Sequence, residues 1–483
     1  MTKHHPGTSS RAVVIGSGPN GLAGALTLAR AGFEVEVHEA APEPGGGVHT
    51  AELTLPGFRH DVCSAIHPLG RASPFFRWAQ LDVPWVDPPA VVAHPFDDGT
   101  AIVLERDLAD VDLGRDTAAY RRLVRPLIEA WAEIEPVLLA PLPLRRRSVV
   151  QALRMAEAVR SAVSDARTLA ESRFSTAGAR ALFAGLAGHS VLPLERRPSA
   201  GFGLSLAVLG HVAGWGFPRG GAQAITDALV DELHRLGGAV HISSPVETLP
   251  AADVVLADLM PGELRRIAAF PERYDRALRR YRHGPGAFKL DWALNGPIPW
   301  TAAACVRAAT VHVGGTLDEI SASEWGAWSG RPVERPFVIL AQHTLFDPAR
   351  APEGKHTVWA YCHVPNGWDG DMTDRVEAQI ERFAPGFREL ILARSAARPR
   401  DLQARNRNLV GGDVNGGTAD LGQLVTRPVR RLNPYRTPLP GVYLCSSATP
   451  PGGGVHGMCG YSAALTALRD ESRSGRRPRS PSP

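Results

Sequence analysis

Three glycines near the N-terminus, Gly16, Gly18 and Gly21, have the spacing Gly-x-Gly-x-x-Gly, which is the first pattern in the chain that suggests chemistry. They follow a β-branched run, residues 11–15, and they open an apolar helical stretch that ends at Gly32. Gly16 allows a tight turn, Gly18 lets the backbone approach a pyrophosphate, and Gly21 lets the helix pack closely on the strand. The N–H groups and the dipole of a helix N-terminus favour phosphates. The order of strand, glycine turn and helix therefore predicts a dinucleotide site at the start of a parallel βαβ unit.

An acidic residue follows the next predicted strand, residues 33–38. Glu39 lies eighteen residues after Gly21, where a carboxylate accepts hydrogen bonds from an adenosine ribose. The same carboxylate would repel a 2′-phosphate, which disfavours NADP. The alternative is an ordinary acidic residue in a loop.

Three further glycine-rich runs lie far apart in the sequence. Residues 45–50 read Gly-Gly-Gly-Val-His-Thr, and residues 450–457 read Pro-Pro-Gly-Gly-Gly-Val-His-Gly before a predicted helix. Backbone without side chains lets a cofactor lie flat against it, and a second helix dipole would stabilise negative charge on a reduced flavin ring. We expect both helix starts to converge on one elongated nucleotide, FAD, although a plain loop and a C-terminal packing helix are the alternatives. The loop 411–417 has two equally good interpretations. It covers a planar ring, or it is a simple turn.

The composition limits the class of protein. A chain of 483 residues exceeds the size of a single hydrophobic core, which favours two joined domains. Residues 471–483 carry +3 of the net charge of +4, so the folded body is close to neutral and nucleic acid is not an expected partner. The cysteines at 63, 305, 362, 445 and 459 include no CxxC pair, which indicates free thiols in a reducing cytoplasm and neither a redox disulfide nor a metal site.

Two segments bear on membranes. Residues 198–218 carry no charge but contain five glycines, each of which disfavours a helix by roughly 1 kcal/mol relative to alanine. We interpret them as a buried segment near a ligand cavity and not as a transmembrane helix. Residues 146–173 predict a basic amphipathic helix with either a solvated face or a peripheral membrane contact. The N-terminus has no apolar core for a signal peptide, so a cytoplasmic location is expected.

The middle of the chain predicts a second, mixed domain. Residues 286–295 alternate, with large apolar residues from Phe288 to Leu294 on one face and Lys289 and Asp291 on the other, which is typical of a half-buried strand in an antiparallel sheet. The other predicted elements are helices at 117–138 and 220–236, strands at 240–242, 254–257, 336–345 and 356–364, and a strand, glycine turn and helix at 441–470.

These motifs together resemble the phytoene desaturase-like flavoproteins. The similarity runs from about Ala12 to Leu468 through the stretches VVIGSGPNGLAGA, PGFRHDVCSAIHP, GWGFPRGGAQAITDAL, HGPGAFKLDWALNGPIPW and GVYLCSSATPPGGGVHGMCG. It is strongest to the branch typified by pyridine nucleotide-disulfide oxidoreductase domain-containing protein 2. The resemblance implies an α/β fold, with a glutathione reductase-type FAD-binding Rossmann domain and an inserted mixed α+β substrate domain.

The resemblance also assigns roles to residues. It implies that Gly16, Gly18 and Gly21 hold the FAD pyrophosphate, that Glu39 holds the ribose and that Val246 brings backbone to the adenine. The further cofactor-binding residues that it implies are Gly46, Gly47, Ser447, Gly453, Gly454 and Val455. Three features depart from the family pattern: Val48 replaces an arginine, Ser446 and Ser447 replace a Gly-Asp pair, and the link from Leu249 to Val254 is short.

The resulting domain prediction has three FAD-binding segments and two substrate-domain segments. The FAD-binding segments are 11–70, 201–270 and 431–470, the substrate-domain segments are 71–200 and 271–430, and residues 1–10 and the basic tail 471–483 are expected to be disordered.

The expected function is hydride exchange between a flavin and an apolar, isoprenoid- or lipid-like small molecule, which is either desaturated or reduced. The sequence identifies no side chain as the catalytic acid or base. A single histidine such as His456 is more often structural. A single complete dinucleotide fingerprint argues against a separate NAD(P)H domain, so oxygen, a quinone or a partner protein would accept the electrons. The alternatives are a flavin-bearing regulatory or interaction protein and an NAD-dependent dehydrogenase.

Overall fold

The structure is a computed structural model that describes residues 10–140 and 156–473. Its strands are β1 Arg11–Ile15, β2 Glu34–His38, β3 Thr50–Ala51, β4 His60–Asp61, β5 Trp85–Val86, β6 Ala90–Pro95, β7 Ala101–Glu105, β8 Phe217–Pro218, β9 Ala239–His241, β10 Val254–Ala257, β11 Gly286–Leu294, β12 Ala308–Val313, β13 Val338–Ala341, β14 His356–Val364, β15 Ile391–Ala397 and β16 Val442–Leu444. Its α-helices are α1 Pro19–Arg30, α2 Pro68–Ala72, α3 Pro74–Ala79, α4 Thr117–Glu129, α5 Trp131–Leu138, α6 Ala156–Ala162, α7 Ala166–Arg173, α8 Ala177–Gly188, α9 Ser199–Val212, α10 Gln223–Arg235, α11 Pro261–Ile267, α12 Glu272–Arg279, α13 Leu317–Ser329, α14 Thr373–Phe383, α15 Pro399–Arg405, α16 Leu421–Thr426 and α17 Met458–Arg473.

A five-stranded sheet carries the N-terminal motif. Its order is β16-β10-β1-β2-β9, and all neighbouring strands are parallel. The predicted strand at 11–15 is confirmed, and the next one spans Glu34–His38. Parallel strands joined through helices need cover on both faces, and the strands and helices here share one apolar core. A Rossmann-type nucleotide-binding domain is thereby confirmed.

Helices α1 and α17 meet almost backbone to backbone. A Cβ on Gly460 would lie 1.7 Å from the carbonyl oxygen of Asn20, and one on Gly24 would lie 3.3 Å from the carbonyl oxygen of Gly460. Only glycine permits such an approach. The contact brings together two helix starts that are more than 400 residues apart in the sequence.

A seven-stranded mixed sheet, in the order β15-β11-β14-β13-β12-β6-β7, forms the second layer. Strand β11 pairs antiparallel with β14 and β15, as the alternation at 286–295 predicted. The prediction of one solvated face was wrong: Lys289 is only 3% exposed and Asp291 only 2%. One face of β11 packs its apolar residues into a core with α14, and the other face is covered by the rest of the molecule. The alternation in the sequence therefore indicated two chemically different faces of β11, and both faces are buried.

Several other predicted elements differ in their bounds. The helix expected at 117–138 is divided at Ala130 into α4 and α5. Of the helix expected at 146–173, residues 146–155 lie outside the described residues and the rest forms α6 and α7, because the Asp165 carboxylate accepts from the N–H of Thr168 and starts a new helix. The strand expected at 336–345 ends at Ala341 and continues into a short 3-10 turn.

The charge-free stretch at 198–218 contains α9, which is 14 residues long. Within the described ranges, no helix has the length and apolarity needed to traverse a bilayer. All five cysteines are free thiols. Helix α17 continues to Arg473, three residues into the expected tail, and residues 1–9 and 474–483 lie outside the described part.

Candidate active site

A cavity of about 2230 Å³ lies between the parallel sheet and the seven-stranded sheet. Pockets for drug-sized ligands measure roughly 300–1,000 Å³, so this one has room for a long molecule and a neighbour. Gly18 and Gly453 both line it. The two glycine-rich helix starts therefore share one cavity, as the sequence predicted. Of the predicted cofactor-binding residues, all except Gly21 line this cavity.

One side of the cavity is a glycine wall, made of Gly16, Gly18, Gly46, Gly47, Gly453 and Gly454. Gly16 has a φ of +95°, which turns the chain sharply after β1. A Cβ on Gly46 would lie 3.2 Å from the Cα of Gly18, so the first two glycine runs touch each other. Gly21 lies behind the wall, where a Cβ would come within 2.0 Å of the carbonyl oxygen of Gly16.

Asp258 lies directly after β10 and lines the cavity beside this wall. Its Oδ2 accepts from the N–H of Gly21 at 2.9 Å. One N–H of the first turn of α1, which we expected to be free for phosphates, therefore donates to a carboxylate. Burial, with a smaller contribution from the Glu39 carboxylate, raises the pKa of Asp258 to about 7, although the Gly21 N–H opposes this shift. The sequence contained a signal for this residue, because an acidic residue at the carboxyl end of a parallel strand lies at the usual ligand edge.

Glu39 lies after β2 on the same edge. Its Oε2 accepts from the N–H and the hydroxyl of Ser17 at 2.8 and 2.6 Å, and its Oε1 accepts from the N–H of Ala41 at 2.9 Å. A carboxylate has about four acceptor positions, so this fixed group retains capacity for a ligand hydroxyl. Val246 lines the cavity close by, because the N–H of Ser244 donates to the carbonyl of Glu39.

The C-terminal loop forms the opposite end of the glycine wall. A Cβ on Gly453 would lie 2.4 Å from the carbonyl oxygen of Asn415, which places the loop 411–417 on the cavity as well. His456 braces the turn: its Nδ1 accepts from the N–H of Met458 at 3.0 Å, and its Nε2 donates to the carbonyl of Gly452 at 3.2 Å. Burial lowers the pKa of His456 to about 4, so it stays neutral.

Arg427 is a buried cation next to this loop that the sequence analysis missed. It donates to the carbonyl oxygens of Ser447 and Thr418, each at 3.2 Å, and its Nε has no partner among the described residues. A Cβ on Gly452 would collide with this guanidinium. Ser447 lines the cavity, whereas the Ser446 hydroxyl points away and donates to the carbonyl of Leu259 at 2.7 Å.

The opposite side of the cavity is a sheet floor, formed by one face of β11 to β14. It consists of Ala287, Lys289, Thr310, Ile339, Ala341, Trp359 and Tyr361. Lys289 is paired in register with Tyr361, and Asp291 with Trp359. The Lys289 ammonium forms an ion pair with Asp291. Burial raises the pKa of Asp291 to about 6, although Lys289 opposes this shift.

Helices supply apolar side walls. Leu127, Ile134, Val159, Phe202 and Leu206 line the cavity from α4, α5, α6 and α9. Val137, Val159 and Val163 are both cavity-lining and exposed, and they form an apolar rim. The expectation that 198–218 lies near a ligand cavity agrees with the position of α9.

Comparisons with known proteins support an oxidoreductase. A family model described as an NAD(P)-binding Rossmann-like domain matches residues 14–80. Pyridine nucleotide-disulfide oxidoreductase domain-containing protein 2 of Mus musculus is 27% identical and is aligned over 95% of this chain and 93% of its own length. Phytoene dehydrogenase of Streptomyces griseus is 26% identical over 86% of this chain and 91% of its own. A double mutant of putrescine oxidase superposes with a TM-score of 0.63 at 15% identity, covering 96% of this chain and all of that structure, which shows a shared fold.

The chain is an FAD-dependent oxidoreductase related to the phytoene desaturases. The predicted resemblance, enzyme class and cofactor are thereby confirmed. The residues that the structure brings together also fit this cofactor. The glycine wall presents backbone to the cavity over the length of its glycine-rich segments. The Oδ1 of Asn20, at the start of α1, is buried in the described structure without a hydrogen-bond partner.

One further cluster lies on β2 and β9, close to Glu39. The ligand atoms of Glu36, His38 and His241 lie within 4.8 Å of one another, a spacing that could hold a metal ion. Glu36 already pairs with Arg11 at 2.8 Å, and the His38 Nδ1 is 2.9 Å from the Ser244 hydroxyl. Glu36 and His38 thus already have protein partners, so the cluster gives no argument for a metal.

Proposed function

We propose that this oxidoreductase exchanges hydride with a C–H bond of an apolar, isoprenoid- or lipid-like substrate, in desaturation or reduction. The observation that carries the proposal is the continuity of the cavity, which runs from the glycine wall to the apolar helices without a break. FAD, when bound, supplies the two-electron chemistry, and the protein supplies binding, orientation and electrostatics. The two curated relatives and the fold are compatible with this class of reaction.

The residues proposed to hold FAD divide along the wall. Gly16 and Gly18 would receive the pyrophosphate, Glu39 the ribose, and Val246 the adenine, while Gly453 to Val455 would line the ring. Ser447 offers a hydroxyl in place of the family carboxylate. Asn20 and Arg427 extend this set, because each holds a buried polar atom without a partner in the described structure. Arg427 would place positive charge near a reduced ring and so stabilise it.

The fold and the cellular context belong to the same proposal. We infer a glutathione reductase-type arrangement, in which the seven-stranded sheet belongs to an inserted substrate domain with the segment boundaries given above. Oxygen, a quinone or a partner protein would take the electrons, and the chain would act in the cytoplasm with a peripheral membrane contact as an option. The apolar rim at Val159 and Val163 would admit a poorly soluble substrate.

The side walls have a role in excluding water. Buried apolar side chains around the reacting C–H bond strengthen the electrostatic interactions inside the site. A hydride exchange also needs the C–H bond held about 3–3.5 Å from its acceptor. The packed helices α4, α5 and α9 can hold an unbranched or isoprenoid chain in that position by shape alone.

The test uses the purified full-length protein. We expect a visible flavin spectrum, and we expect reduced flavin to be reoxidised, or oxidised flavin to be reduced, by an apolar candidate under anaerobic conditions. A flavin that responds to no apolar candidate would favour a regulatory or interaction protein. A colourless protein that binds NAD would favour the dehydrogenase alternative.

A matched pair of variants tests the route of entry. Val159→Asp places a charge on the apolar rim, where Val159 is 43% exposed and lines the cavity, whereas Val306→Asp places one at a site that is 46% exposed and lies off the cavity lining. We expect the KM for an apolar substrate to rise several-fold in Val159→Asp only. Equal KM values in both variants would argue against entry at this rim.

A further inference from the structure

The sheet floor carries polar donors that a pure hydrocarbon would leave without partners. The Lys289 ammonium has three donors and is ion-paired with one carboxylate, Asp291. The Tyr361 hydroxyl forms no hydrogen bond with any described residue, although its ring contacts Trp359 and His363. Both side chains line the cavity. Lys289 is buried with more donors than its one carboxylate partner fills, which is costly, and Tyr361 is partly buried at the cavity, so these groups indicate a ligand with an acceptor.

The strand register places the two donors side by side. Lys289 on β11 is directly opposite Tyr361 on β14, and both lie on the face toward the cavity. Directly opposite residues of an antiparallel pair have Cβ atoms about 4.5–5.5 Å apart. The Lys289 Nζ also lies 5.9 Å from the centroid of the Trp359 indole. The two donors therefore lie on the same part of the floor, beside an aromatic ring.

The charge of the floor selects the kind of acceptor. The positive charge of Lys289 is already matched by Asp291, so a carboxylate or phosphate would meet the negative charge of Asp291 as well as the ammonium. Burial raises the pKa of the Tyr361 phenol well above its ordinary value, so the phenol remains a donor. A neutral oxygen with lone pairs satisfies both donors without adding charge.

The geometry points to a substrate whose apolar chain carries a neutral carbonyl oxygen, received by Lys289 and Tyr361. This inference rests on the proposed function, because it names the chemistry of the substrate bound in the same cavity. It narrows the substrate class from hydrocarbons to ketones, aldehydes or esters with a long apolar part. Lys289 and Tyr361 are thus specificity residues, and the helices recognise the rest of the chain by shape.

Binding to the flavin-loaded protein tests this inference with three probes of equal carbon number: methyl octyl ketone, n-decane and decanoic acid. Depletion from the headspace measures the ketone and the alkane, and equilibrium dialysis measures the acid. The variant Tyr361→Phe removes only the hydroxyl. Its matched control is Tyr274→Phe, because the Tyr274 hydroxyl has no hydrogen-bond partner in the described structure and lies off the cavity.

We expect Tyr361→Phe to weaken ketone binding about five-fold, as the loss of one neutral hydrogen bond implies, and to leave the alkane unchanged. Lys289→Met is expected to weaken ketone binding by at least about ten-fold, since its hydrogen bond is charge-assisted. Tyr274→Phe should change neither ligand. Flavin content should be equal in wild type, Tyr361→Phe and Tyr274→Phe.

Several outcomes would overturn the inference. If Tyr361→Phe changes ketone binding and alkane binding equally, the floor does not recognise an oxygen atom. The proposed function with an apolar substrate would be unaffected by that result. Tightest binding of decanoic acid with the strongest response to Lys289→Met would show an anion site. A loss of flavin without a change in the ketone-to-alkane ratio would assign the donors to the cofactor. If neither ketone nor alkane binds the wild-type protein, the proposed function fails together with the inference.

Discussion

The glycine wall and the sheet floor face each other across one cavity, yet they are built on opposite principles. The wall works by lacking side chains: a Cβ at Gly46 or Gly453 would meet backbone atoms. The floor works through its side chains: Lys289 is buried and ion-paired with Asp291, and it lies in register with Tyr361 on the adjacent strand. A surface made of backbone is suited to bind a cofactor, which has a constant shape. A surface made of side chains is suited to the part of the site that determines substrate specificity. Substitutions on either surface test this difference.

The largest effect is expected from Gly21→Ala, behind the glycine wall. The new Cβ would come within 2.0 Å of the Gly16 carbonyl, and forcing atoms into a packed site costs about 3 kcal/mol or more when backbone must move. We expect little or no flavin in the purified protein and a much lower Tm. Gly262→Ala is the control, since a Cβ there meets open space in α11, and it should raise stability slightly. Retention of flavin by Gly21→Ala would show that the wall tolerates side chains.

Asp258→Asn is expected to change how stability depends on pH. The pKa of Asp258 is raised from 3.8 to about 7 in the folded protein, so its contribution to stability is fully present below pH 3.8 and is lost as the pH rises through about 7. One pKa unit corresponds to about 1.4 kcal/mol, so the wild type should lose a few kcal/mol more than the variant over this range. Asparagine can still accept from the Gly21 N–H.

Urea unfolding of both proteins at several pH values measures this difference. The buried histidines, whose pKa values are lowered, contribute with the opposite sign, but they cancel when the two proteins are compared. Parallel stability curves for wild type and Asp258→Asn would show that Asp258 does not titrate in this window.

A smaller effect is expected from Glu39→Gln, at the end of the wall where we propose that the adenosine ribose binds. Replacing a charged acceptor by a neutral one weakens each bond to a ribose hydroxyl, and charge-assisted hydrogen bonds contribute roughly 1.5–3 kcal/mol. We expect FAD affinity to fall about ten-fold, measured by flavin fluorescence on titration of the apoprotein. Glu34→Gln, an exposed residue of β2, should leave the affinity unchanged. Equal affinity in both variants would place the ribose elsewhere.

The smallest expected effect is a difference in stability between substitutions on the two faces of the seven-stranded sheet. The Trp292 indole N–H donates to Glu377 at 3.0 Å on the apolar face, whereas the Trp359 N–H on the floor has no partner in the described chain. Trp292→Phe should therefore reduce the unfolding free energy by about 1 kcal/mol more than Trp359→Phe. Urea titrations measure both, and a larger loss in Trp359→Phe would reveal a partner for that indole.

Residues governed by local backbone chemistry could be predicted. The Gly16–Gly18–Gly21 turn, the strand before it and the helix after it follow from short-range rules, and so does the position of Glu39 at the end of β2. The convergence of Gly18 and Gly453 could be predicted because two helix starts of one kind suggested one ligand. The domain boundaries and the membrane contact remain predictions.

The sequence by itself determined the Rossmann unit, the cofactor class and the alternation of β11, because glycine conformations and a period of two depend on near neighbours. Only the tertiary structure decided that Lys289 and Asp291 are buried and that Tyr361 lies beside them. The alternation separates two faces of a strand but does not say what covers either one. That depends on helices and loops hundreds of residues away, whose packing no local pattern encodes. For the same reason the sequence analysis missed Arg427, which belongs to the site only because distant segments meet there.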